Sequence, residues 1–256
     1  MTAASAVYRE AHEDGLSRLA SGETRLWCVS LDVTPAALAR LEAVLDPEEI
    51  LRANRFRFAE HRQAFVIARG VLRGLLAQFS GTAAHEVRFS YGVRGKPEFQ
   101  SHCRLRFNLS HSGKLALYAF ALDRELGVDI EKHREMNDLI DVAKRFFAPA
   151  EVSNLLSLPL GERPAAFFRC WTRKESFVKA VGDGLYLPLD SFQVSLRADE
   201  PAAIVQVGGR QESKWRLTDV TPVEGYSAAL VTEGAPAVVT GFRSQDATQV
   251  LALLKT

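Results

Sequence analysis

The chain has 256 residues, 47% of them hydrophobic and 25% charged, and a formal net charge of +1. That balance is ordinary for a globular protein with a sizeable core; it excludes a disordered or fibrous chain and argues against a dedicated nucleic-acid binder. The longest apolar run, LALYAFAL at 115–122, is far short of the roughly 20 residues that a membrane-spanning helix needs. In chain order, RLWCVSLDV (25–33) predicts a strand and PAALARLEAVL (35–45) a helix. Asp46-Pro47 is a helix-start signal, so 47–79 is expected to hold one or two long helices. EVRFSYG (86–92) and LRFNLSHSGKLALYAFAL (105–122) read as strands, with turns at Gly92 to Pro97 and Ser112-Gly113. LGVDIE (126–131) predicts another strand, and 138–147, 149–158 and 164–181 predict helices. From Phe192 onward short strands follow: FQVSL, AIVQVGG, KWRLTDV, YSAALV and AVVTGF. The order of strand, helices and antiparallel strands occurs twice. The expected fold is therefore α+β, with two similar lobes at 1–122 and 123–256.

Charge is divided unevenly between those halves. Residues 1–122 carry 16 Lys and Arg against 12 Asp and Glu, and residues 123–256 carry 16 against 19. Within the first half, residues 51–73 hold six arginines and one acid, Glu60. On a helix, Arg55, Arg62, Arg69 and Arg73 form one stripe, which is either a solvated face or a phosphate-binding edge. Common catalytic signatures are missing: the sequence contains no GxSxG, HExxH or GxxxxGK[ST], and no GxGxxG followed by the right acid.

Two pairs of charged residues remain. In GVDIE (127–131), Asp129 and Glu131 lie two apart on a strand and share a face, where they can present oxygens to one hard cation. In WTRKESFVKA (171–180), Glu175 and Lys179 lie one helical turn apart. Taken singly, each pair also fits an exposed strand face or a helix-supporting ion pair. The aromatic residues Phe146, Phe147, Phe167, Phe168 and Trp171 are most simply core residues.

FNLSHS (107–112), GVDIE (127–131), RFFAPAE (145–151) and WTRKESFVKA (171–180), in this order and at these separations, together resemble the two-lobed, Sfp-type 4′-phosphopantetheinyl transferases. RFSYGVRGKPEF (88–99) and GDGLYLPLDSFQV (182–194) are similar to further segments of that family, so the likeness spans roughly 50–195. It implies transfer of the phosphopantetheine arm of coenzyme A to a serine of an apo acyl or peptidyl carrier protein, with Mg²⁺ required and adenosine 3′,5′-bisphosphate released. It further implies that Asp129, Glu131 and Glu175 hold the metal, and that Glu175 is also the general base, directly or through water. By the same likeness Lys179 lies near the reacting phosphate, with Lys174 a possible assistant. Ser110 and His111 would contact the coenzyme A phosphates, Lys96 the adenosine end, and Arg55 and Arg69 the 3′-phosphate. The family's lysines ahead of this helix are replaced by Glu48, Glu49 and Arg52.

Two other readings use the same acids: a Mg²⁺-dependent hydrolase of the coenzyme A pyrophosphate, and a coenzyme A binding module without catalysis. Two lobes in one chain predict a monomer. The start of the chain lacks a basic region followed by an apolar one, which predicts a cytoplasmic location without membrane or nucleic-acid partners. Cys28, Cys103 and Cys170 are odd in number and widely spaced, as reduced core thiols would be.

Overall fold

The computed structural model describes residues 8–100, 104–182, 186–207 and 214–245, with 247 and 250. The first lobe runs strand β2 (Glu23–Ser30), helices α1 (Pro35–Ala43), α2 (Pro47–Ala53) and α3 (Ala59–Ser80), hairpin β3 (Phe89–Tyr91) and β4 (Pro97–Phe99), then β5 (Leu105–Ser112) and β6 (Leu115–Leu122). The second repeats that sequence of elements: β7 (Leu126–Lys132), α4 (Leu139–Phe146), α5 (Pro149–Ser157), α6 (Arg163–Val181), hairpin β8 (Phe192–Val194) and β9 (Ile204–Val207), then β10 (Trp215–Asp219) and β11 (Tyr226–Glu233). Each lobe pairs its first strand with its last and its last with the one before, giving β2-β6-β5 and β7-β11-β10, all antiparallel. The α+β class and the pseudo-symmetric repeat are therefore present.

One boundary needs correction. The final strand β12 (Val238–Ser244) does not stay in the second half; it inserts between β1 (Tyr8–Glu10) and β2, parallel to both. Phe242, Ala247 and Val250 complete the apolar core of the first lobe. That lobe thus consists of residues before 123 together with the chain's last described segment, and its sheet is mixed. Alternation in AVVTGF predicts a strand but carries no information about which sheet edge receives it.

The two sheets pack face to face, burying Leu26, Cys28, Leu117 and Ala119 against Val128, Ile130, Ala228 and Leu230. Helix α3 covers the outer face of the first sheet and α6 that of the second. Cys28 and Cys170 are free and buried, and Cys103 lies outside the described residues. Phe147, Phe167 and Phe168 are buried, whereas Phe146 and Trp171 are only partly so and face a cleft.

The expected four-arginine stripe is broken: Arg55 falls between α2 and α3 and is exposed, whereas the three arginines on α3 are ion-paired. Arg62 pairs with Glu42, Arg69 with Glu49, and Arg73 with Glu49 and Asp46. The carboxylate of Glu49 also accepts the Asp46 backbone N–H, and Asp46 in turn caps the Glu49 N–H, closing the capping box of α2. Glu49 is thus the acid that fastens α2 onto α3 through two guanidinium groups.

Two features position the functional part of α6. Val128 and Ile130 turn into the core between the sheets, so Gly127 and Asp129 point the other way, toward α6. A methyl group at Gly127 would collide with the Ser176 carbonyl oxygen and the Ala180 backbone nitrogen, so only glycine lets the helix backbone lie directly on the strand. The second feature is a buried ion pair. Lys174 Nζ lies 2.7 Å from Glu151 Oε2 and donates to the carbonyls of Leu189 and Phe192. Lys174 is wholly buried, about 100° around the helix from Glu175, and its role is structural. Burial holds the Glu151 carboxyl above its ordinary value, with Lys174 pulling it back. Desolvation therefore outweighs attraction, and the pair matters mainly because neither charge can be left alone.

Gly127→Ala should displace α6, lower the melting temperature and abolish activity; thermal unfolding and an activity assay on the same preparation check this. Lys174→Met should cost about 3–5 kcal/mol by leaving Glu151 buried and unpaired. The double variant with Glu151→Gln should recover part of that loss in denaturant titration.

Candidate functional site

A cleft of about 890 Å³ opens between the lobes. From the first lobe it is lined by Arg52, Arg69, Lys96 and His111 among others, and from the second by Phe146, Trp171, Glu175 and Lys179. A second groove of about 930 Å³ adjoins it, sharing Arg52, Phe65, Arg69 and Tyr91 and adding Arg55 and Arg88.

The acids converge beside this cleft. Asp129 is buried, and its Oδ1 accepts from Lys179 Nζ at 2.6 Å and from Ser110 Oγ at 2.7 Å. Its Oδ2 is buried and has no hydrogen-bond partner among the described residues. Burial, followed by the charge of Asp129, raises the Glu175 carboxyl above its ordinary value, and Lys179 lowers it. Glu131 is raised as well, first by burial, while the hydrogen bond from Ser112 opposes the shift and Asp129 adds to it. Glu175 and Glu131 thus each feel the negative charge of neighbouring acids, the condition that a bound cation relieves.

The three acids expected to hold the metal are not already closed around one point. Among the described residues no group of three His, Cys, Asp or Glu is arranged to hold an ion. The Lys179 ammonium sits on one oxygen of Asp129, and Glu131 is drawn to Ser112 and to Arg134, 3.6 Å away. What the residues do offer is an unpartnered buried carboxylate oxygen with two further acids nearby. That donor set suits Mg²⁺, which takes one or two protein carboxylates and completes its shell with water and phosphate oxygens.

The remaining candidates fall in different places. His111 lies at the cleft, where removal from bulk water, then Lys179 and His61, push its imidazole below the ordinary value. Lys96 reaches across the lobes: its Nζ donates to Glu125 at 3.0 Å and to the carbonyls of Leu126 and Ala180, both at 3.2 Å. Ser110 does not line the cleft; it is buried, donating to Asp129 and accepting from Lys179 at 3.0 Å. Arg69 lines the cleft but is buried, paired with Glu49 and stacked on Phe89 at 3.6 Å, so it brings no uncompensated charge. Arg55 is exposed in the adjoining groove, as is Arg52 at the junction of the two spaces.

Sequence reasoning missed Asn108 and Ser112. Together with Ser110 they occupy alternate positions of β5, and the period of two in FNLSHS is the signal that puts them on one face.

Comparison with known proteins identifies the family. Family models for "4′-phosphopantetheinyl transferase, N-terminal" and "4′-phosphopantetheinyl transferase superfamily" match residues 32–122 and 125–231. The chain is 40% identical over 219 residues to the 4′-phosphopantetheinyl transferase HetI of Nostoc sp., covering 84% of this chain and 90% of that one. To the transferase Sfp of Bacillus subtilis it is 32% identical, covering 75% and 83% respectively. A solved structure of Thermotoga maritima holo-[acyl-carrier-protein] synthase overlaps 43% of this chain and 62% of that one, at 16% identity and a TM-score of 0.34. The chain belongs to the 4′-phosphopantetheinyl transferase superfamily.

Proposed function

We propose that the cleft between the lobes is where this enzyme transfers the 4′-phosphopantetheine group of coenzyme A to a serine of an apo carrier protein. The observation that carries this reading is the buried, unpartnered Oδ2 of Asp129 beside Lys179, at the edge of a cleft built from both lobes. The relatives support a transferase, and neither the coenzyme A hydrolase nor the non-catalytic module gains support from them.

Coenzyme A would lie along the cleft, its nucleotide end toward Lys96, His111 and the exposed Arg52 and Arg55, with the paired Arg69 forming part of the groove wall. Its pyrophosphate would lie at the acids of β7 and α6. Asp129 and Glu131, with Glu175, would hold Mg²⁺. A divalent ion there neutralises charge on the pyrophosphate oxygens and the departing phosphate. Glu175 faces the cleft, where a carboxylate can serve as general base. It takes the proton of the carrier serine, directly or through water, as the hydroxyl oxygen forms a bond to phosphorus. The bond from that phosphorus to adenosine 3′,5′-bisphosphate breaks at the same centre. Lys179 lies within reach of Asp129 and lines the cleft, where its ammonium stabilises charge on the transferring group. The second lobe is thus the catalytic one and the first the nucleotide-binding one, and a site shared by two lobes of one chain is consistent with a monomer. No described helix is long and apolar enough to cross a membrane.

Incubation with coenzyme A, Mg²⁺ and an apo carrier should add the phosphopantetheine mass to the carrier, read by mass spectrometry. Nucleotide release without that gain would indicate a hydrolase instead. Asp129→Ala and Glu175→Ala should each lower transfer by at least about 100-fold, on the scale of losing a positioned acid–base or charge-stabilising group, with a cooperative thermal melt showing that each variant is folded. Near-normal turnover of either variant would remove these acids from the chemistry.

A further inference from the structure

Besides packing face to face, the two lobes meet along two strand edges. β5 is the last strand of the first sheet and β7 the last of the second, and among the described residues no backbone ladder joins them. Their junction is made by side chains instead. Asn108 Oδ1 accepts the Val128 N–H at 2.9 Å, and Ser112 Oγ accepts the Lys132 N–H at 3.1 Å. Between these, Ser110 Oγ donates to Asp129 Oδ1 at 2.7 Å, and Ser112 Oγ donates to Glu131 Oε2 at the same distance. Three alternate residues of one lobe thus satisfy edge N–H groups of the other and grip both of its acids.

This pairing has a chemical consequence. A carboxylate on a strand edge rotates about its terminal torsion unless one oxygen is fixed, and a rotating acid loses affinity for an ion that requires a set direction. At Asp129, Ser110 and Lys179 both occupy Oδ1, which leaves Oδ2 without a partner. At Glu131, Ser112 and Arg134 both meet Oε2. Ser112 does more than Arg134 can: its hydroxyl donates to the acid while accepting the backbone N–H of Lys132, the residue that follows it. The acid is therefore referenced to the register between the lobes. An exposed arginine three residues along the chain supplies charge without such a reference.

We infer that Ser112 is a positioning residue: it fixes Glu131 for the divalent ion and couples that ligand to the nucleotide-binding lobe through the β5–β7 seam. The inference rests on the reading of Glu131 as an ion ligand. Neither Ser112 nor Asn108 touches the reacting atoms; both act through β7.

The test measures Mn²⁺ affinity of the full chain with coenzyme A bound, by electron paramagnetic resonance of free Mn²⁺, so that the readout is separate from turnover. Ser112→Ala should weaken Mn²⁺ about 10-fold or more, as loss of a partner to a metal ligand does. Ser112→Thr, which keeps the hydroxyl, should restore affinity to within about threefold of the parent. Thermal melts on each preparation establish that the folded protein is being titrated. Glu131→Ala is measured alongside. If Glu131→Ala weakens Mn²⁺ while Ser112→Ala does not, the positioning role is overturned and the ligand reading stands. If Glu131→Ala leaves Mn²⁺ affinity unchanged, the ligand reading fails and the inference falls with it. A loss in Ser112→Ala that Ser112→Thr does not reverse assigns the effect to packing and also overturns the inference.

Discussion

The close approach of α6 to β7 is the constraint on which the rest of the structure depends. Gly127 leaves no side chain between the strand and the helix backbone at Ser176 and Ala180. Because of that, Lys179 reaches Asp129 at 2.6 Å and the charge of Asp129 is felt by Glu175. Asp129, two residues along the strand from Gly127, and Glu175, beside Ser176 on the helix, thereby come close enough for their charges to interact. The buried pair of Lys174 and Glu151, on a neighbouring face of α6, holds the helix at its rotation, since any roll would separate two desolvated charges. The geometry of the candidate site is thus secured from two faces of one helix.

Electrostatics then assigns different tasks to groups of the same chemical type. Arg69 and Arg73 are compensated by Glu49 and serve to fasten helices, whereas Arg52 and Arg55 remain exposed beside the cleft. Lys174 is a core cation and Lys179 a cleft cation, five positions apart on one helix. A carboxyl raised by burial and by like charge is suited to accept a proton or a metal, and Glu175 and Glu131 are both of this kind.

Much of this was legible in the sequence, for identifiable reasons. Apolar Val128 and Ile130 alternating with Asp129 and Glu131 fixed which face carries the acids, and the spacing of Glu175 and Lys179 placed both on one side of a helix. The twofold order of elements showed the repeat. Three things lay beyond reach because they depend on long-range pairing. β12 crosses back to the first sheet, which no local pattern reveals. The arginine stripe looked open because its counter-charge, Glu49, comes from a different helix and was read only as a departure from the family pattern. Ser110 was expected at the cleft, but its hydroxyl is engaged by Asp129, and only the meeting of two strand edges makes that contact.

The central claim is that a divalent ion held by acids of β7 and α6 meets the pyrophosphate of coenzyme A between the lobes. Anomalous diffraction from crystals grown with Mn²⁺ and coenzyme A tests it most directly. The account predicts a single strong peak within coordination distance of Asp129 Oδ2, with pyrophosphate oxygens on its other side. A peak remote from Asp129, or coenzyme A bound in the cleft with Oδ2 still unligated and no ion beside it, would contradict it.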